Sequence, residues 1–277
     1  MLLEAAERKC FFQPFELDVV STNGGKRNDE SNDGLSRKWE RFFLCLSLFL
    51  SGRKDDVMKL TDKLYEAAKP IWDGYLTQPF VKELGEGTLS MERFRFYMIQ
   101  DYRYLLQYAK VFALGIVKAE EEELQRLFAG MVHDTLDGEM NVHKAYMARL
   151  GITEEEVANT RTALSNQSYT SYMLDEAYKG GVLEILVAVL SCAWSYQMIG
   201  EHHKTIPGAL EHPLYGEWVN GYSCQAYCDS TQLIIDLVNK YGEGIDEKRE
   251  EHLKEIFVNC SRYEADFWDM AYAATPE

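Results

Sequence analysis

From residue 58 onward, apolar residues recur at intervals of three and four, the spacing that lines one face of an α-helix. Phe94, Met98, Leu105 and Tyr108 keep this spacing behind Ser90, whose hydroxyl suits a helix start, and they predict a long helix to about Ala119. A second helix is predicted from about Glu121 to Leu150, where Gly151 stops it. Thr153 and Glu156 have the T-x-x-E spacing of a capping box and predict a short helix. Residues 165–168 read as a polar loop leading into a helix that ends at Gly180-Gly181. Residues 182–203 are apolar nearly all round, which predicts a central, buried helix. His212-Pro213 interrupts the chain before a further helix, and residues 247 to about 273 close the fold. No stretch alternates long enough to predict a strand. The expected fold class is all-α, a bundle of roughly seven to nine helices.

Residues 1–57 differ from the rest. They show no sustained period and contain a polar, turn-rich stretch at 21–36. Their charges nearly cancel, with 9 basic against 10 acidic residues, whereas 58–277 holds 20 basic and 35 acidic. The segment is expected to be an extension outside the fold, with Met58 a candidate natural start and 58–277 the helical domain. Its apolar run at 42–50 is too short to span a bilayer and is followed by no A-x-A cleavage site. A net charge of −16 argues against nucleic acid and anionic membrane as partners, because both call for basic surface. A cytoplasmic protein is expected.

Candidate chemistry lies where polar groups interrupt apolar helices. The chain has 17 Tyr, 13 Phe and 5 Trp, most of which a core would absorb. Asp101 sits mid-helix one turn from Tyr104, and an aspartate there must be paired or functional. Cys192 lies midway along the most apolar helix with Tyr196 one turn on; a lone cysteine there serves equally well as a small buried hydrophobe. Glu264 lies amid aromatic residues with Phe267 on its face, where burial would raise its pKa into a useful range. Tyr169 follows a loop-to-helix junction, and Gly221-Tyr222 follows Trp218. Glu139 and His143 share a helix face, with His133 and Asp134 nearby, but a di-iron bundle needs a Glu-x-x-His on each of two helices and the chain has none. No metal is expected.

In order and spacing these segments resemble the TenA / thiaminase II family over about residues 60–272. The resemblance runs through Gln78-Pro79-Phe80-Val81, Gly85-Glu86-Gly87-Thr88-Leu89 and Phe96-Tyr97-Met98-Ile99-Gln100-Asp101. It continues through Ser168-Tyr169-Thr170-Ser171, Ser191-Cys192-Ala193-Trp194-Ser195-Tyr196, His212-Pro213-Leu214-Tyr215 and Tyr263-Glu264-Ala265-Asp266-Phe267-Trp268. It implies a fold like that of haem oxygenase, a homotetramer, and neither haem nor any other cofactor. It also implies hydrolysis of thiamin, or of 4-amino-5-aminomethyl-2-methylpyrimidine, to the hydroxymethyl pyrimidine in thiamin salvage. Cys192 places the chain with the cysteine-containing branch.

The family chemistry assigns roles that fit these residue types. Cys192 is the expected nucleophile and Glu264 the general acid toward the pyrimidine ring, with a descending limb in the pH profile. Asp101 is expected to hold the 4-amino group. Tyr104, Tyr169, Tyr196, Tyr222 and Phe267 are the expected substrate-binding residues around a flat heteroaromatic ring. A non-catalytic pyrimidine-binding relative and a helical oxidoreductase of the same fold are the alternatives.

Overall fold

The computed structural model describes residues 58–274, and the expected extension over 1–57 lies outside the described residues. Among the described residues eleven α-helices occur in order. They are α1 (Leu60–Trp72), α2 (Pro79–Glu86), α3 (Met91–Lys118), α4 (Glu122–His133), α5 (Met140–Arg149), α6 (Glu154–Asn159), α7 (Leu164–Lys179), α8 (Val182–His203), α9 (Gly216–Ser223), α10 (Gln225–Tyr241) and α11 (Glu247–Ala273). There is no strand among the described residues. The number exceeds the expected seven to nine because short segments, such as α2 and α9, stand apart from their neighbours.

Local chemistry sets the boundaries. Ser90 Oγ accepts from the Arg93 amide and Asp246 Oδ1 from the Arg249 amide, which satisfies free donors at the starts of the two longest helices, α3 and α11. Gly87 and Gly151 end α2 and α5 with φ of 74° and 66°, a left-handed turn that a side chain would strain. Thr153 Oγ1 accepts from the Glu156 amide as the T-x-x-E spacing predicts, while the Glu156 carboxylate reaches Arg95 instead of returning to the cap.

Helix α8 is the axis of the bundle. Residues 183–190 are all buried, and the helix packs against α3, α7, α9, α10 and α11. It is long and apolar enough to cross a membrane, but most of it is enclosed by the other helices, as a soluble core helix would be. Its first turn is tied down twice. The Gly181 amide donates to Glu184 Oε2 (2.8 Å), and Arg249 of α11 grips the same carboxylate with both Nε and an amino nitrogen.

Two expectations fail for tertiary reasons. Residues 165–168 form the first turn of α7, not a loop, because Gln100 of α3 organises the junction. Its side-chain carbonyl accepts from the Ala163 amide and its backbone carbonyl from Asn166 Nδ2. The predicted single helix from Glu121 to Leu150 is helical without a break, but a π-helical segment, Asp134–Glu139, divides it into α4 and α5. A π turn takes one extra residue, so it rotates the downstream residues around the axis, and such turns concentrate at functional sites. Here the rotated residues Thr135 and Glu139 face a cavity.

Candidate active site

The cavity lies beside α8 and is closed by α3, the π segment, α9 and α10. Asp101, Tyr104, Cys192, Tyr196 and Tyr222 all line it. Five of the eight expected site residues therefore meet, from α3, α8 and α9. Gly200 makes this possible at one seam. A Cβ there would come within 2.7 Å of the Tyr222 backbone, so only glycine lets α9 lie close enough to set the Tyr222 ring 4.7 Å from that of Tyr196.

Glu264, Tyr169 and Phe267 do not line the cavity but are buried directly behind its wall. The Tyr104 ring joins the two groups, 5.3 Å from Tyr169 and 5.9 Å from Phe267. Tyr169 donates its hydroxyl proton to Glu264 Oε1 at 2.7 Å. The Cys192 side chain lies close enough for the Glu264 carboxyl and the Tyr104 hydroxyl to shift its proton affinity, while the Tyr104 hydroxyl itself points to Met173 Sδ at 3.7 Å. Nucleophile and acid/base candidates thus lie side by side, although 72 residues separate them in the sequence.

Burial sets the protonation states. It pushes Glu264 up to about 7, against the opposing bonds from Tyr169 and Cys192. It also pushes the Cys192 thiol well above the ordinary range, with the Glu264 charge adding to the shift and the Tyr104 hydroxyl opposing it. The resting sulfur is therefore a thiol, and the carboxyl beside it is poised to take its proton near neutral pH.

Asp101 has a partner that local sequence does not reveal. His143 Nε2 lies 2.6 Å from Asp101 Oδ2, and both side chains are buried. His143 Nδ1 faces the Glu139 backbone carbonyl at 3.0 Å, and a carbonyl can only accept, so Nδ1 carries hydrogen. The contact with Asp101 then needs one further proton, and the Asp101 carboxylate holds it on the imidazole, raising the His143 pKa against burial. Asp101 Oδ1 makes no hydrogen bond among the described residues and is free for a ligand.

In the sequence Glu139 stands out only as half of a metal-like pair with His143. The structure uses that spacing differently: His143 reaches the Glu139 backbone, while the carboxylate accepts from Tyr222 (3.1 Å) and lines the cavity. His133 pairs with Asp137 at the surface. No group of three or more metal-ligating side chains exists among the described residues. Tyr108 and Tyr227 also line the cavity without any mark in the sequence; aromatic residues at helical spacing look alike whether they face a core or a cavity.

Family models place the chain. Residues 65–274 match the one described as the TENA/THI-4/PQQC family. The chain belongs to this family. An aminopyrimidine aminohydrolase of Helicobacter pylori is 46% identical over 215 residues, which cover 78% of this chain and 99% of that protein. Among solved structures, a TenA homologue of P. horikoshii OT3 has a TM-score of 0.71 at 31% identity, covering 78% of this chain and 99% of that one. A domain of unknown function from Shewanella denitrificans OS217, described as having a heme oxygenase-like fold, matches with a TM-score of 0.63 at 17% identity. That likeness speaks for the fold alone and agrees with the all-helical expectation. This TENA/THI-4/PQQC member has Cys192 and Asp101 in the wall of one cavity and Glu264 buried behind it.

The Asp101–His143 contact makes Asp101→Asn a test of both partners. Breaking a buried ion pair should cost roughly 3 kcal/mol of stability, less whatever is recovered as His143 loses its proton. If Asp101 also binds substrate, kcat/KM per folded molecule should fall about 10- to 150-fold. Thermal unfolding and kinetics on one preparation separate the two. A destabilised variant with normal efficiency would leave Asp101 as a partner of His143 alone.

Proposed function

We propose that this protein is a thiaminase II, a cysteine-dependent hydrolase that replaces the C5-methylene substituent of an aminopyrimidine with hydroxyl in thiamin salvage. The observation that carries this reading is the placement of the Cys192 thiol beside a buried carboxyl of pKa about 7 at the edge of a tyrosine-lined cavity. The 46% identical relative, an aminopyrimidine aminohydrolase, supports it.

The chemistry runs through covalent catalysis. Displacing an amine directly from the exocyclic carbon is hard. Addition of the Cys192 sulfur to ring C6 interrupts aromaticity, while the thiol proton passes to Glu264 and on to a ring nitrogen. Ring electrons then expel the C5-methylene substituent. Water adds to the exocyclic carbon, the carbon–sulfur bond breaks, and the aromatic ring returns. Asp101 Oδ1 accepts from the 4-amino group, which orients C6 toward the sulfur. Tyr104, Tyr196 and Tyr222 hold the ring, with Tyr169 and Phe267 supporting them from behind.

No cofactor takes part in this scheme. The partner is the small-molecule pyrimidine or thiamin, with no nucleic acid and no membrane. A cytoplasmic homotetramer completes the proposal. Steady-state kinetics with thiamin and with the aminomethyl pyrimidine test it: release of hydroxymethyl pyrimidine from at least one is expected. Binding without turnover, or oxygen consumption, would overturn it.

Residues 1–57 are not part of the catalytic fold in this reading. A chain beginning at Met58 should keep its kcat and its oligomeric state, measured by size-exclusion chromatography with light scattering. An insoluble or inactive truncation, under conditions where the full chain works, would make the segment part of the enzyme.

A further inference from the structure

Glu139 is a buried carboxyl in the cavity wall that the proposed chemistry leaves unused. Its Oε1 accepts from Tyr222, while Oε2 makes no hydrogen bond among the described residues. Asp101 and Glu139 are the acidic residues of the lining, which contains no lysine or arginine among the described residues. Among the described residues the basic group beside them, His143, is spent on Asp101 at 2.6 Å. Two carboxyl groups therefore share one basic partner, and that partner lies against Asp101, which leaves the Glu139 carboxyl without a cation of its own among the described residues.

Ring geometry says where that cation would lie. In the proposed function, on which this inference rests, Asp101 holds the group on C4 and Cys192 attacks C6. C5 is bonded to both of those carbons. Its substituent must leave the ring between Asp101 and Cys192, in the cavity that Glu139 also lines. Both substrate types carry a positive charge on that arm, a thiazolium or an ammonium. The hydroxymethyl product has none.

We infer that Glu139 is the subsite for the positive charge on the C5 substituent, and that it separates a cationic substrate from its neutral product. The subsite accepts either cation by charge. The proton on Glu139 adjusts its strength: burial raises its pKa to about 7, helped by Asp101 and opposed by His143 and the Tyr222 hydroxyl. The other titratable groups around it are Tyr97 and Tyr108 of α3, Cys192 of α8 and Tyr227 of α10, all of which stay neutral through that range because burial raises them far above it. As pH rises through about 7, Glu139 ionises and cation binding strengthens; below it the advantage is lost.

The test is calorimetric binding to the Cys192→Ser protein, which holds substrate without turnover. The probes are the aminomethyl pyrimidine, a cation, and the hydroxymethyl pyrimidine, neutral, each between about pH 5.5 and 8. The ratio of the two affinities cancels titration of Glu264 and of the ring, which both ligands share. That ratio should climb roughly tenfold across the range and become flat, and roughly 10- to 100-fold smaller at the upper end, when Glu139→Gln is added. In the otherwise native enzyme, Glu139→Gln should raise KM for the aminomethyl pyrimidine and leave inhibition by the product unchanged. A flat ratio with Glu139 intact overturns the inference, and needs no second variant to fold. A sloping ratio that survives Glu139→Gln overturns it too. If neither pyrimidine binds, the proposed function falls and takes this subsite with it, whereas binding with a flat ratio sinks the subsite alone.

Discussion

Cys192→Ser is expected to abolish hydrolysis of either pyrimidine, lowering kcat by ~10⁴-fold or more, with the protein folded and able to bind. Serine is nearly isosteric and sits at a half-buried position, so the helix and its packing should survive. The chemistry should not. The Cys192 sulfur is a thiol at rest, held so by burial and the charge of Glu264, and it becomes a nucleophile by handing its proton to that carboxyl. A carboxyl of pKa about 7 can accept a proton from a thiol at an achievable cost, but from an alcohol the step is many orders of magnitude less favourable. Turnover near the native rate in Cys192→Ser, with circular dichroism unchanged, would remove Cys192 from the mechanism.

Glu264→Gln should be almost as damaging, by ~10²- to 10⁴-fold in kcat. Glutamine keeps the bond from Tyr169 but neither takes the thiol proton nor passes it to the ring. The sign of the pH dependence comes from the pair. The active form holds one proton between Cys192 and Glu264. Below about pH 7 a second proton occupies the carboxyl and blocks the transfer. The kcat profile should therefore ascend through about 7, opposite to the descending limb expected of a lone general acid, and fall only where the thiol itself ionises. Residual kcat in Glu264→Gln should be flat across the same range. An unchanged ascending limb in that variant would place the acid/base group elsewhere.

How much of the molecule is legible in its sequence depends on the range of the forces involved. Helices α8 and α11 have the limits their patterns predict, because their signals are local: an unbroken apolar run in one, an aspartate cap and helical spacing in the other. The site residues are legible as oddities, polar or reactive groups set among apolar ones, and five of eight line the cavity. The hidden part is pairwise and distant. Asp101 and His143 are 42 residues apart, and neither neighbourhood hints at the other. Gln100 draws residues 163–166 into a helix start through bonds that no local propensity encodes. Glu139 is visible but easily misread, since i,i+4 spacing is shared by metal ligands and by a histidine bonding back to the helix backbone.

The π segment gives the site a dependence of an unusual kind. Met131, Thr135 and Glu139 line the cavity from this stretch, and His143 reaches back to the Glu139 carbonyl from just beyond it. Their joint aim is set by how many residues the chain spends between 131 and 143, not by which residues they are. Side chains such as Asp137, exposed on this segment, could be exchanged freely and the phase would hold. Losing one residue with the π turn still open would swing everything downstream by about 100°, whereas a loss that closes it to ordinary turns would keep the downstream phase and re-aim Thr135 and Glu139 within the segment. The information is a length, written into the gene as a reading of codon number, and a scan by substitution would pass over it without a trace.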